Sequence, residues 1–267
     1  MSSRIEKVFN NKTKKLITFV TGGDPNYKTS KEILNTIIAN GADIIEIGMP
    51  FSDPMADGPT IQSSSNRAIN NGASLKTIFD LCYDIRKVNK DIAIILMGYY
   101  NVIFHYDIKK FIQKCSSIGI DGLIIVDLQP EEDSELYNLI KSKNIDLIRL
   151  ITPNTTKDRL KIITNKATGF LYYVTVAGIT GQKSANLNEL KNSIKKIRHF
   201  SKLPIVAGFG INNKKDVNNI CKITDGAVVG SAIVKIIENN LTHKKEMFKL
   251  IERFIKDLKS GTKLWIG

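Results

Sequence analysis

The sequence contains no run of eighteen apolar residues, so no segment reads as a membrane-spanning helix. Cysteine is scarce: Cys82, Cys115 and Cys221 are an odd number with no CxxC spacing. Free, mostly buried thiols in a reducing compartment are expected. Histidine is as rare. His105, His199 and His243 fall in helical or loop stretches, and no His/Asp/Glu cluster has metal-ligand spacing, which disfavours metal-assisted chemistry. The opening segment MSSRIEKVFNNKTKK lacks the apolar core of a secretion signal, so a cytoplasmic location is expected.

Acidic residues are also in deficit, 26 against 39 Lys and Arg, which leaves a net charge of +13. Such a balance raises nucleic acid as a partner. The lysines, however, are scattered over helix faces (Lys87, Lys90, Lys109, Lys110, Lys195, Lys196) without interleaved exposed aromatics, and a solvated basic surface accounts for them. A positive field would still draw in phosphorylated substrates.

What the chain does have is regular alternation. Apolar runs of strand length occur at residues 16–20, 44–49, 93–97, 123–126, 147–151, 170–174, 205–207 and 227–229. Most are rich in Ile and Val and lack strict apolar/polar alternation, as parallel strands covered on both faces do. Between them lie helical stripes. Ile33, Leu34, Ile37 and Ile38 form one; Leu136, Leu139 and Ile140 a second; Leu187, Leu190, Ile194 and Ile197 a third. Gly41 and Gly119 punctuate helix ends, where positive φ is needed. Eight strand–helix units without a linker predict a single (β/α)8 barrel over residues 1–267, with an extra helix at 61–71 before one at 75–88. An open doubly wound sheet is the rival architecture.

Barrel active sites form at the C-terminal ends of the strands, so the residues there are the candidates. Glycines recur after the last three runs, in Gly178-Ile179-Thr180-Gly181, Gly208-Phe209-Gly210 and Gly230-Ser231. Glycine lets backbone N–H groups approach an anion, and a helix N-terminus adds partial positive charge, so these groups predict a phosphate cradle. No strand ends in lysine, which disfavours Schiff-base chemistry; Lys183 is the nearest candidate. No Ser or Cys sits in a recognisable nucleophile motif.

The acids remain. Glu46 lies inside the second apolar run, where burial would raise its pKa and let it act as a general acid. A structural acid, hydrogen-bonded or paired with lysine, fits the same pattern, and pattern alone leaves both readings open. Asp57, on a Gly/Pro-rich loop, is placed to stay ionised and accept an N–H hydrogen bond. Asp53 and Asp24 each precede a proline and read as turn residues. Asp127 is ambiguous between strand end and helix start. Together the absences and the acids point to metal-free acid–base chemistry on a phosphorylated substrate.

The stretch Glu46-Ile47-Gly48-Met49-Pro50-Phe51-Ser52-Asp53-Pro54-Met55-Ala56-Asp57-Gly58-Pro59-Thr60-Ile61-Gln62 closely resembles the signature of the tryptophan synthase α-subunit family. The blocks at 178–181, 208–211 and 230–234 resemble the family's others, in order. The resemblance implies a (β/α)8 barrel that cleaves indole-3-glycerol phosphate to indole and glyceraldehyde 3-phosphate, with no cofactor. It also implies a pyridoxal-phosphate β subunit as partner, usually in an α2β2 complex. On this resemblance Glu46 is the general acid–base and Asp57 the acid that holds the indole N–H. Phe19, Tyr99 and Tyr172 line the substrate site, and Thr180 orients Asp57. Gly181, Gly210, Gly230 and Ser231 cradle phosphate, while Asp53, Pro54 and Gln129 face the partner. Gln129 stands where the family often has proline, and Val176 where some members have arginine. A non-catalytic activating barrel in the same complex is the alternative, against which intact Glu46 and Asp57 argue.

Overall fold

The computed structural model describes residues 3–11, 13–174, 187–208 and 210–263. Its sheet runs β5-β4-β3-β2-β1-β9-β8-β7-β6, and every pairing is parallel. The strands are β1 (Lys15–Thr21), β2 (Ile44–Gly48), β3 (Ala93–Gly98), β4 (Gly122–Ile125), β5 (Asp146–Leu147), β6 (Arg149–Ile151), β7 (Leu171–Val174), β8 (Ile205–Gly208) and β9 (Gly226–Val229). Each of the eight apolar runs in the sequence coincides with one of these strands to within a residue, Met49, Val126 and Phe170 falling just outside, except that 147–151 is divided at Ile148. β5 pairs with β4 and β6 pairs with β7. The Ile148 N–H still reaches the Leu123 carbonyl at 3.0 Å, so the two pieces together occupy one strand position and close a (β/α)8 barrel.

Both faces of each strand are buried, for different reasons. Ile45, Ile47, Ile94, Leu96 and Leu123 face outward into the layer beneath the helices. Ile17, Ile44, Ile95, Ile124, Val206 and Val228 face inward and fill the barrel. The period-2 alternation of side chains is thus present, but it is invisible in the sequence because both destinations are apolar. Helix α2 (Tyr27–Ala39) buries Ile33, Leu34 and Ile37; α7 (Ser134–Lys141) buries Leu136 and Ile140; α9 (Leu187–Arg198) buries Leu190, Ile194 and Ile197, as their stripes predict. Gly41 (φ 112°) and Gly119 (φ 84°) end helices with positive φ.

The predicted extra helix is α3 (Pro59–Asn70), followed by α4 (Leu75–Val88). A further short helix, α1 (Arg4–Phe9), closes the N-terminal end of the barrel and was not legible in the sequence. Ser3 caps it by accepting the Glu6 N–H at 3.1 Å. Ile5, fully buried, joins the inner cluster, and Phe9 packs on Phe170 with ring centroids 5.6 Å apart. Arg4 and Arg86 both pair with the buried Asp121, at 2.8 and 2.9 Å. The three cysteines are buried and free. Among the described residues no helix is long and apolar enough to cross a membrane.

Candidate active site

Glu46 is the third residue of β2, in register between Phe19 of β1 and Ile95 of β3. Alternation along β2 turns Ile44 into the barrel, and Glu46, two residues on, follows it. The side chain is wholly buried, and neither carboxylate oxygen has a hydrogen-bond partner among the described residues. Desolvation pushes its pKa up to about 8. The salt-bridge and backbone-capping readings of Glu46 therefore have no support in the geometry. Tyr172, on β7, also faces inward, and its hydroxyl is held well above the usual range by burial first and by the charge of Glu46 second. A Cβ at Gly208 would stand 2.6 Å from the Tyr172 hydroxyl, so the glycine there makes room for the ring.

Asp57 sits in the loop between β2 and α3. The Tyr99 hydroxyl donates to its Oδ2 at 3.0 Å, and the Gln62 side chain donates to its carbonyl at 2.8 Å. Burial raises the Asp57 pKa, while the Tyr99 hydrogen bond acts to lower it. Phe19, Thr21, Pro54, Asp57, Met97 and Tyr99 line one cleft at the C-terminal end of the barrel. Phe19 also packs across Gly48, where an added Cβ would lie 2.6 Å from the ring.

On the far side of Phe19 is Gly230, the N-cap of α11 (Ser231–Asn239); a Cβ there would be 3.2 Å from the Phe19 Cβ. Among the described residues no side chain caps this helix, which leaves its first N–H groups for an anion. Gly210 takes φ 54°, with open space where a side chain would stand. Val176, Gly178, Thr180, Gly181 and Lys183 fall in 175–186, outside the described residues, as does Phe209.

The residues expected at a partner surface differ in exposure. Asp53 is exposed and takes the Ser52 hydroxyl hydrogen bond at 2.5 Å. Pro54 is buried in the cleft wall. Gln129 is exposed and bonded to Arg159, which also pairs with Glu131. Asp127 resolves its ambiguity as a cap: its Oδ1 accepts the Tyr100 N–H at 2.8 Å, at the start of α5 (Tyr100–Tyr106).

Asp24 lies at a turn as the sequence suggests, its N–H meeting the Thr21 carbonyl at 3.3 Å, but its side chain serves an ion pair and not the turn. It is buried and held by both ends of the Arg67 guanidinium, at 3.0 and 2.9 Å. Arg67, on α3, also reaches Glu238 of α11 and Ser63, each at 3.0 Å. The neighbouring serines continue the stitching: Ser64 bonds Thr21 at 2.6 Å, and Ser65 accepts the Phe51 N–H at 2.8 Å. Helix α3 thereby ties the ends of β1 and β2 to α11. No sequence signal foretold this, because Arg67 lies 43 positions beyond Asp24 on a helix outside the basic repeat.

A carboxyl that is still protonated near neutrality and a second acid held at a cleft edge, both at the C-terminal mouth of a parallel barrel, can run acid–base chemistry on a substrate anchored by its anionic end. The fold and site define a (β/α)8-barrel protein equipped for carboxyl acid–base chemistry. The family model for "Tryptophan synthase alpha chain" matches residues 5–263. The tryptophan synthase alpha chain of Petrotoga mobilis is 45% identical over 257 residues, covering 96% of this chain and 99% of that one. That of Geotalea uraniireducens is 41% identical over 265 residues, covering 98% of each. The crystal structure of the alpha subunit from Legionella pneumophila str. Paris superposes with a TM-score of 0.91 at 31% identity, covering 98% of this chain and 99% of that one. The chain belongs to the tryptophan synthase alpha chain family. It is a carbon–carbon lyase of tryptophan biosynthesis, cleaving indole-3-glycerol phosphate to indole and glyceraldehyde 3-phosphate. The reading as a non-catalytic subunit is not favoured. Membership implies a β-subunit partner.

Proposed function

We propose that Glu46 is the general acid–base of the cleavage and Asp57 its electrostatic partner. The observation that carries this reading is the complete burial of a Glu46 carboxyl with no partner for either oxygen among the described residues, which favours its protonated form at neutral pH. Glu46 delivers its proton to indole C3. The resulting cation spreads to the ring nitrogen, where the Asp57 carboxylate accepts the N–H and stabilises the charge. The Glu46 carboxylate then takes the glycerol hydroxyl proton as the C–C bond breaks. The bond's electron pair returns to the ring as neutral indole, the aldehyde leaves, and Glu46 is protonated again.

Phe19, Tyr99 and Tyr172 hold the indole and glycerol parts. Gly210, Gly230 and Ser231, with Gly181, receive the phosphate, and Thr180 orients Asp57. The uncapped N-terminus of α11 beside Phe19 supports the phosphate assignment. The chain works as one barrel domain in the cytoplasm, joined to a β subunit in an α2β2 complex. Asp53 and Gln129 face that subunit, with Pro54 buried behind them as support for the loop. Two large exposed apolar side chains support this surface: Met55 in the Asp57 loop, 88% exposed, and Phe104 on α5, 63% exposed.

The test is indole release by wild type, Glu46→Gln and Asp57→Asn, with and without added β subunit. Glu46→Gln is expected to fold and lose nearly all cleavage, and Asp57→Asn to bind substrate but turn over very slowly. Wild type is expected to speed up with the partner. Substantial cleavage by Glu46→Gln would sink the assignment.

A further inference from the structure

We propose that Tyr99 is a positioning residue for Asp57, its hydroxyl fixing which carboxylate oxygen faces the ring nitrogen of the substrate. The inference rests on the reading of Asp57 given above. Asp57 is held at three points: its N–H donates to the Pro54 carbonyl at 2.9 Å, Gln62 donates to its own carbonyl, and Tyr99 takes Oδ2. Oδ1 has no hydrogen-bond partner among the described residues, and Asp57 lines the cleft. One oxygen is thus occupied and the other is available.

The direction of the Tyr99 bond is settled by its second partner. The Ala56 N–H donates to the Tyr99 oxygen at 2.9 Å, which uses a lone pair. The single hydroxyl proton therefore points to Asp57, and a donor there favours the ionised carboxylate. The ring itself cannot drift. It is 4% exposed, lies 5.1 Å from the Phe51 ring, and precedes an α5 whose first N–H is bound by Asp127. The charged and titratable groups around Asp57 do not duplicate this role. On its own loop Asp53 is engaged by Ser52. On β2 Glu46 stays protonated up to about pH 8. On the β4–α7 loop Asp127 acts on Tyr99, not on Asp57.

The experiment uses Tyr99→Phe in wild-type and Asp57→Asn backgrounds, with kcat and KM for indole release measured from pH 5 to 9. Phenylalanine keeps the packing on Phe51, and an unchanged thermal midpoint will confirm the fold. Loss of the hydroxyl is expected to lower kcat by about tenfold with little change in KM. It is also expected to move the acid limb of the rate profile up by about one pH unit, because Asp57 loses the donor that favours its charge. In the Asp57→Asn background the same change is expected to do almost nothing. A raised KM with an unmoved acid limb, or equal losses in both backgrounds, would make Tyr99 a mere wall of the pocket and overturn the proposal. If Asp57→Asn alone runs at the wild-type rate, the role of Asp57 has failed instead. Gln62→Leu, which frees the backbone carbonyls of Asp57 and Pro54 but touches neither carboxylate oxygen, is expected to leave the acid limb in place; a matching shift there would likewise overturn the assignment to the Tyr99 hydroxyl.

Discussion

Replacing Glu46 by glutamine, which cannot ionise, is expected to stabilise the protein and inactivate it. The carboxyl has a pKa of about 8 when folded, against 4.5 for an unperturbed glutamate. A raised folded pKa means that the folded state holds the proton more tightly than the unfolded chain. The contribution is therefore fully present below pH 4.5 and is lost as the pH rises to about 8. Between those limits each pH unit removes about 1.4 kcal/mol, so roughly 3 kcal/mol is gone at pH 7 and roughly 5 kcal/mol above pH 8. Glutamine matches the protonated acid in shape and cannot ionise, so Glu46→Gln escapes this loss. Urea unfolding of both proteins at pH 5, 6, 7 and 8 measures it directly. The midpoints should nearly coincide at pH 5 and separate steadily towards pH 8, with the variant more stable. The cleavage rate of wild type should fall only as the pH passes about 8, where the acid form of the folded enzyme is depleted. Parallel stabilities from pH 5 to 8 would refute the reasoning, because Glu46 would then titrate near its ordinary value.

Ile5→Ala removes the apolar plug of the barrel floor and is expected to cost about 2–4 kcal/mol in unfolding free energy, with kcat unchanged, since the floor is remote from the cleft. Arg67→Ala leaves the buried Asp24 without its partner. A loss of about 3 kcal/mol is expected by denaturation, and it should shrink at low pH, where Asp24, already raised by burial, takes up a proton. Gly208→Ala places a methyl 2.6 Å from the Tyr172 hydroxyl and should displace that ring, lowering kcat/KM by at least about tenfold with a small change in thermal midpoint.

The strands were legible because a parallel barrel strand is apolar on both faces, and a short unbroken Ile/Val run is what that requires. For the same reason the inward and outward sets could not be separated in advance, and the break at Ile148 left no mark. Glu46 stood out as the exception to such a run, and its burial followed from its neighbours. What it lacks among the described residues, a partner for either oxygen, is a property of three strands at once and could not be read from one. Asp24 and Arg67 each look ordinary in their own segments. Only the packing of α3 against the end of β1 turns them into a pair. Helix α1 left no periodic pattern because it is six residues long and buries only Ile5 fully, its other anchors being a polar pair and a half-buried ring.

That helix imposes an order of events. Ser3, Arg4 and Ile5 are made early, but Ser3 bonds Asp146, Arg4 bonds Asp121, and Ile5 rests among side chains as distant in the chain as Phe170 and Val228. Asp121 lies nearly half-way along the chain, Asp146 just beyond the midpoint, and Phe170 and Val228 later still, so the full set of seats exists only once most of the strands have been made. The complete docking site of α1 therefore forms only when strands from β4 to β9 have come together around Ile5. Docking of α1 is thus a report of completion, and a fluorescent label or protease site placed beside Ile5 would time the closing of the whole barrel.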